Sequence, residues 1–100
     1  MEGIEHLRRA RQELKRSDGT ARARLRVAAR QFWQAVFDFE SWPPPLQGRA
    51  AGILRRLFTG GVIDETVQNA SSGTIETLSD EIEAFSEEAE RHDLRNRLRG

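Results

Sequence analysis

The feature that most constrains the fold of this chain is an apolar stripe in its second quarter. From Ala21 to about Trp42, apolar residues recur in alternating steps of four and three positions, at Leu25, Ala29, Phe32, Val36 and Phe39. At about 100° per residue, this spacing places the side chains on one side of a helix. Further apolar residues on both flanks widen the apolar arc to roughly 200°. We therefore predict a central helix that contacts at least two other elements.

A second regular stripe lies near the other end of the chain. Its members are Ile75, Leu78, Ile82, Phe85 and Ala89. Thr74 is suited to cap a helix that begins there, and His92 falls where the stripe would continue. Each of the two stripes lasts about two heptads, which favours a short bundle over an extended coiled coil.

The remaining helices are marked by weaker patterns. A thin stripe predicts a first helix over residues 3–16, through Ile4, Leu7, Arg11 and Leu14. A turn at residues 17–19 follows, and Thr20 is placed to cap the central helix. Three prolines at 43–45 end the central helix and begin a third one, which runs to about Phe58. Its stripe is Leu46, Ala50, Ile53, Leu54 and Leu57.

Two further signals concern the second half of the chain. Gly48 and Gly52 lie one turn apart inside the third helix, which we interpret as a place where another helix packs closely. Residues around Asp64 suggest a short helical turn. We predict an all-α fold, a small single-domain bundle of about four helices plus that turn. Residues 1–92 form the bundle, and residues 93–100 form a basic tail, either frayed or continuing as an amphipathic helix.

The net charge is zero, but the charges are segregated along the chain. Residues 1–56 carry a net charge of +6, residues 57–90 a net charge of −9, and the last ten residues a net charge of +3. We therefore expect the basic and acidic parts of the chain to attract each other. All basic residues except Lys15 are arginine, which suggests a GC-rich, bacterial source.

Composition excludes several classes of protein. The chain has no cysteine, which excludes disulfides, thiolate nucleophiles and cysteine-ligated zinc, and fits a reducing compartment. No stretch approaches the twenty or so apolar residues of a membrane span, and no apolar run near Met1 resembles a signal peptide. We expect a cytoplasmic protein without a membrane partner.

Catalytic and metal chemistry find little support in the sequence. The last predicted helix carries an acidic face, but its carboxylates come from one helix. The di-metal bundle pattern needs Glu-x-x-His on two helices, and neither His6 nor His92 lies in such a motif. We predict no catalytic residue, no cofactor and no metal, and an enzyme or metal-binding bundle is the last of our alternatives.

Arginines of the central helix are the candidate phosphate contacts. Arg22, Arg26 and Arg30 could pair with nucleic-acid phosphates, with Arg24 nearby. Their positions around the helix disperse the charge instead of forming one stripe, and the net charge of the chain is zero. We favour pairing with the acidic helix and keep nucleic-acid binding as the alternative function.

Large aromatic residues cluster at the end of the central helix. Trp33, Phe37 and Trp42 lie next to Pro43, the start of the proline corner. Aromatics at helical spacing usually belong to the core, and the other interpretation is a surface that anchors a partner. Our first hypothesis is a non-enzymatic protein–protein interaction module that binds another protein or itself as a homodimer, because its apolar arc and segregated charges exceed what one small bundle needs.

Overall fold

The computed structural model describes residues 3–37, 42–59 and 72–99. Within these ranges the chain forms four helices and no strand: α1 (Ile4–Leu14), α2 (Ala21–Val36), α3 (Pro44–Thr59) and α4 (Ser72–Arg99). The prediction of a small all-α bundle is confirmed. The helical turn predicted near Asp64 lies outside the described residues.

The turn between α1 and α2 is built as its residues suggest. Gly19 adopts a φ of 76°, and Thr20 is extended. The Thr20 Oγ1 accepts a hydrogen bond from the Ala23 amide at 3.1 Å, so the predicted cap is confirmed. Arg16 donates to both carboxylate oxygens of Asp18, and these hydrogen bonds lower the pKa of Asp18. The stabilisation they give is present at neutral pH and is lost as the pH falls through that lowered pKa.

Half of the residues that helix α2 buries are alanines. Its buried side chains are Leu25, Ala28, Ala29, Phe32, Ala35 and Val36. Three alanines in this set allow a neighbouring helix to approach closely, and α1 makes its most extensive contact with α2. The helix ends at Val36, before the predicted end near Trp42, with Phe37 as its C-cap.

The start of α1 shows how close this approach is. Gly3, the residue before α1, has a φ of 83°, a backbone conformation that favours glycine. A Cβ atom at this position would lie 2.8 Å from the carbonyl oxygen of Ala35 in α2. Farther along, α1 buries Ile4, Leu7 and Ala10.

Helix α3 begins at the proline corner, as predicted. The carbonyl oxygen of Pro43 accepts hydrogen bonds from the amides of Leu46 and Gln47, at 3.0 and 3.1 Å. The buried side of the helix consists of Leu46, Ala50, Ile53 and Leu57. The interpretation of Gly48 and Gly52 as a close-packing site is wrong, because no atom of another described helix lies within 4 Å of a Cβ built on either residue.

Helix α4 spans the molecule. Its 28 residues extend for about 42 Å, close to the 44 Å long axis of the fold, and it contacts the other three helices. All five residues of the predicted stripe are buried. The next buried position is Asp93, whereas His92 is only half-buried. Residues 93–99 continue α4 as a helix, and none of the described helices is long and apolar enough to cross a membrane.

Candidate interaction surface

The candidate partner surface divides into a buried part and an exposed part. Trp42 is only 2% exposed, and the centroid of its ring lies 5.7 Å from that of Phe85 in α4. Phe32 approaches Phe85 edge-on at 5.6 Å, so Trp42 belongs to the aromatic core. Pro43, next to it, is half-buried. The structure therefore places neither Trp42 nor Pro43 with the exposed aromatic residues.

Trp33 and Phe37 remain on the outside of the bundle. They lie one turn apart near the end of α2, on the flank of its buried stripe. Their rings stack at 6.1 Å with an interplanar angle of 24°. Trp33 is 36% exposed and Phe37 is 67% exposed, so the outer side of this pair faces solvent.

A third aromatic residue, Phe58 at the end of α3, completes this surface. Its ring meets the Trp33 ring edge-on at 5.4 Å and remains 41% exposed. Sequence reasoning did not select Phe58, although a signal was present. Phe58 follows Leu57, the last buried residue of the α3 stripe, and therefore points about 100° away from it. We call Trp33, Phe37 and Phe58 the aromatic surface.

Exposure of three packed rings is costly in a small protein. Each large aromatic side chain can bury 150–250 Å² or so, and contiguous exposed apolar patches mark sites of interaction. Burying these rings more deeply within the bundle would gain free energy. Their position across two helices instead leaves an exposed surface on which each ring packs against another.

Two arginines flank the aromatic surface. Arg30 precedes Trp33 by three residues in α2, and Arg55 precedes Phe58 by three residues in α3, so each shares a helix face with its aromatic neighbour. Both side chains are exposed. Arginine and aromatic residues are the types enriched at protein interfaces.

The candidate phosphate contacts do not form one patch. Arg22 lines a groove of about 530 Å³ between α2 and α4, together with Glu76 and Asp80. Arg26 is half-buried, and its Nε atom is buried without a hydrogen-bond partner among the described residues. Arg30 lies beside the aromatic surface. The structure therefore confirms that these arginines are dispersed, as their positions around the helix predict.

Ion pairs join the basic and acidic parts of the chain, which confirms their expected attraction. Arg8 and Arg11 both bind the Glu90 carboxylate, at 3.2 and 2.6 Å. Arg56 binds Glu81 at 2.6 Å, and the remaining pairs with α4 are Arg49–Glu88 and Lys15–Glu83. The basic residues in these described pairs come from α1, its C-cap and α3, rather than from the arginines of α2.

Grouped acidic and histidine side chains are what a metal site would need. No three His, Asp or Glu side chains among residues 3–37, 42–59 and 72–99 are grouped so that they could hold a metal ion. His6 is engaged through its Nδ1 atom with the side-chain oxygen of Gln31 at 2.9 Å. His92 lines a shallow depression beside Pro43 and Arg95.

The aromatic surface is thus the most distinctive exposed feature of this bundle, and it joins two predicted residues with one that the sequence did not single out. Comparison of the chain with protein-family models, with curated proteins and with solved structures finds no match.

Proposed function

We propose that this chain is a small, non-enzymatic protein–protein interaction module that binds its partner through the aromatic surface. The observation that carries the proposal is the packing of Trp33, Phe37 and Phe58 into one exposed cluster drawn from two helices. Tryptophan and arginine at the centre of an interface commonly supply most of its binding energy. The cluster offers such an anchor without any rearrangement of the bundle.

The flanking charges favour a partner with acidic residues. Arg55 is exposed one turn before Phe58 in α3 and would attract carboxylates at the rim of the interface. A second copy docked on the same surface would bring the Arg55 side chains of the two copies towards each other. We therefore propose that the partner is another protein, which presents an apolar helix face with acidic residues along its edge.

Nucleic-acid binding remains the second candidate. Arg30 beside Trp33 is the observation that favours it, because bases stack on exposed aromatic side chains next to cationic groups. The rings of the aromatic surface are packed on one another, however, which leaves less ring area for bases. The cysteine-free, arginine-rich sequence supports placing the proposed module in the reducing cytoplasm of a bacterial cell.

Site-directed photo-crosslinking tests the proposed function. A photoreactive phenylalanine analogue at Phe37 should capture a specific protein partner in cells. The same analogue at Arg9, an exposed position on α1, should not. The captured protein is then purified and titrated against the chain. Trp33→Ala and Phe58→Ala should each weaken binding by about 30-fold, the effect of losing a dominant interface residue.

Tryptophan fluorescence gives an independent readout with the purified partner. Trp42→Phe leaves Trp33 as the sole tryptophan, since the chain has two. Its emission should shift to shorter wavelength on binding, because the interface would remove water from the ring. Equal crosslinking from Phe37 and Arg9, or unchanged affinity in both alanine variants, would contradict the proposal. Salt-sensitive binding of single-stranded DNA that is lost in Trp33→Ala would favour the second candidate.

A further inference from the structure

The outer face of α4 is a second surface, separate from the aromatic surface. It comprises the residues that point away from the bundle along most of the helix: Glu76, Asp80, Ala84, Glu87, Arg91, Leu94, Arg95 and Leu98. At about 100° per residue these side chains fall within an arc of about 100°. All of them are exposed except Glu87, which is half-buried.

Charge changes sign along this face. Glu76 and Asp80 lie one turn apart near the start of α4, and Arg91 and Arg95 lie one turn apart near its end. None of these four side chains forms an ion pair with a described residue, whereas Glu81, Glu83, Glu88 and Glu90 are all paired within the bundle. The acidic pair and the basic pair are 15 positions apart, or about 22 Å along the helix.

We infer that α4 pairs antiparallel with α4 of a second copy of this chain. A twofold axis between residues 85 and 86 places Glu76 opposite Arg95 of the second copy and Asp80 opposite its Arg91. Twofold symmetry repeats both contacts, so the dimer contains four complementary ion pairs. Ala84 lies beside the axis, where its small side chain lets the helices approach. Parallel pairing would instead place like charges together.

Apolar residues extend the same contact. Leu94 is 57% exposed and Leu98 is 79% exposed, and both lie on the outer face near the end of α4. In the antiparallel register they oppose residues 77 and 73 of the second copy. The groove lined by Leu14, Ala21 and Ile75 is also lined by Glu76, the neighbour of residue 77, and has room for a leucine side chain. Each end of the dimer therefore buries Leu94 and Leu98 of one copy.

The interface formed in this way is narrow and rich in charge, so the dimer is weak and sensitive to salt. Raising the ionic strength from about 0.1 M to about 1 M shortens the screening length from about 10 Å to about 3 Å. We expect the dissociation constant to rise at least tenfold over this range. The dimer uses no residue of the aromatic surface and does not depend on the proposed function.

Charge reversal in two separate variants provides the test. Sedimentation equilibrium should show that R91E/R95E and E76R/D80R are each monomeric at concentrations where the original chain dimerises. An equimolar mixture of the two variants should form a heterodimer, because every reversed charge then faces its complement. Arg9→Glu, a reversal on the exposed side of α1, is the matched control and should dimerise normally. Circular dichroism of each variant checks that it is folded.

Orientation is measured with spin labels on a cysteine introduced at Asn96, an exposed residue outside the outer face, since the chain has no cysteine of its own. An antiparallel dimer separates the two labelled positions by about 32 Å along the helices, and a parallel one brings them within about 20 Å. The inference is overturned by a strict monomer at about 1 mM chain in low salt, by dimers that survive both reversals, or by the short distance. Monomeric chain that instead binds anionic vesicles through Leu94 and Leu98 would also overturn it.

Trp33→Ala separates this inference from the proposed function. Dimerisation should be unchanged in that variant, whereas binding of the other protein should weaken by about 30-fold. Conversely, R91E/R95E should abolish dimerisation and leave the affinity of the aromatic surface for its partner unchanged. Loss of both properties in either variant would show that the two surfaces are not separate and would contradict the inference.

Discussion

Helices α2 and α4 differ in the kinds of side chain that they bury and expose. Between Ile75 and Ala89, α4 buries its large apolar side chains and exposes charge, whereas α2 buries three alanines and keeps a tryptophan and a phenylalanine outside. The difference follows from their neighbours. Helix α1 approaches α2 so closely at Gly3 that a Cβ atom there would meet the Ala35 carbonyl oxygen, while α4 packs against three helices at once. Helix α2 therefore has one side that packs within the bundle and another that carries exposed aromatic residues.

Removing a buried phenylalanine of α4 and an exposed phenylalanine at the end of α2 should give the largest difference in the free energy of unfolding. Phe85 of α4 is fully buried and lies against the rings of Phe32 and Trp42, with the Arg49 guanidinium 5.6 Å from its ring centre. Phe85→Ala should lower the free energy of unfolding by about 3–5 kcal/mol. Phe37→Ala should change it by less than about 0.5 kcal/mol. Urea denaturation measures both, and similar values would contradict the assignment of Phe37 to an interaction surface.

A methyl group at Gly3 tests the close approach of α1 to α2. Gly3→Ala combines an unfavourable positive φ with a contact of 2.8 Å to the Ala35 carbonyl oxygen. We expect a loss of about 2–3 kcal/mol in the free energy of unfolding. Gly19→Ala has a similar φ, 76°, and open space around it, so its loss should be near 1 kcal/mol. Equal losses in thermal denaturation would show that the approach of α1 is not tight.

The ion pairs on the surface of α4 should contribute less to the free energy of unfolding than its buried side chains do. Glu90 is the carboxylate that binds both Arg8 and Arg11, and its side chain is 18% exposed. Glu90→Gln should therefore lower the free energy of unfolding by about 1 kcal/mol. Arg9→Gln removes an exposed charge that has no ion pair with a described residue and should have no measurable effect. A loss in Glu90→Gln that persists unchanged in 1 M salt would rule out an electrostatic origin.

Small residues do not pack closely everywhere, and Gly48 provides the comparison with the alanines of α2. Gly48 lies inside α3 with open space at its Cβ position. Gly48→Ala should raise the free energy of unfolding by about 0.5–1 kcal/mol, because alanine loses less backbone entropy in a helix. Ala28→Gly, at a buried position of α2, should have the opposite sign. A destabilised Gly48→Ala variant would restore the close-packing interpretation that the structure contradicts.

Helix periodicity predicted the fold well because it is a local property. The α4 stripe from Ile75 to Ala89 is buried as expected, and the Thr20 cap forms as expected. The pattern became unreliable at His92, which the structure leaves half-buried while it buries Asp93. The Asp93 carboxylate binds Arg97 at 3.1 Å, a pairing that a scale of hydrophobicity does not capture.

The candidate site depends on contacts between distant residues, and there the sequence was a poorer guide. Trp33, Phe37 and Trp42 looked equivalent as aromatics near one helix end. Trp42 instead lies against Phe85, far along the sequence in α4, while the other two rings stay outside. Phe58 of α3 lies against Trp33 of α2. Neither contact can be derived from the spacing of residues within a single helix.

The early close contact of α1 with α2 has a consequence for synthesis on the ribosome. These helices are separated by only six residues, so their hairpin can form while the rest of the chain is still being made. The side of the hairpin that contacts α4 stays uncovered until α4 has been made. Glu90 of α4 lies 82 positions after the Arg8 it binds. At about 5–20 residues per second, that interval lasts several seconds. During this time the nascent hairpin leaves the side chains that α4 later covers in contact with water.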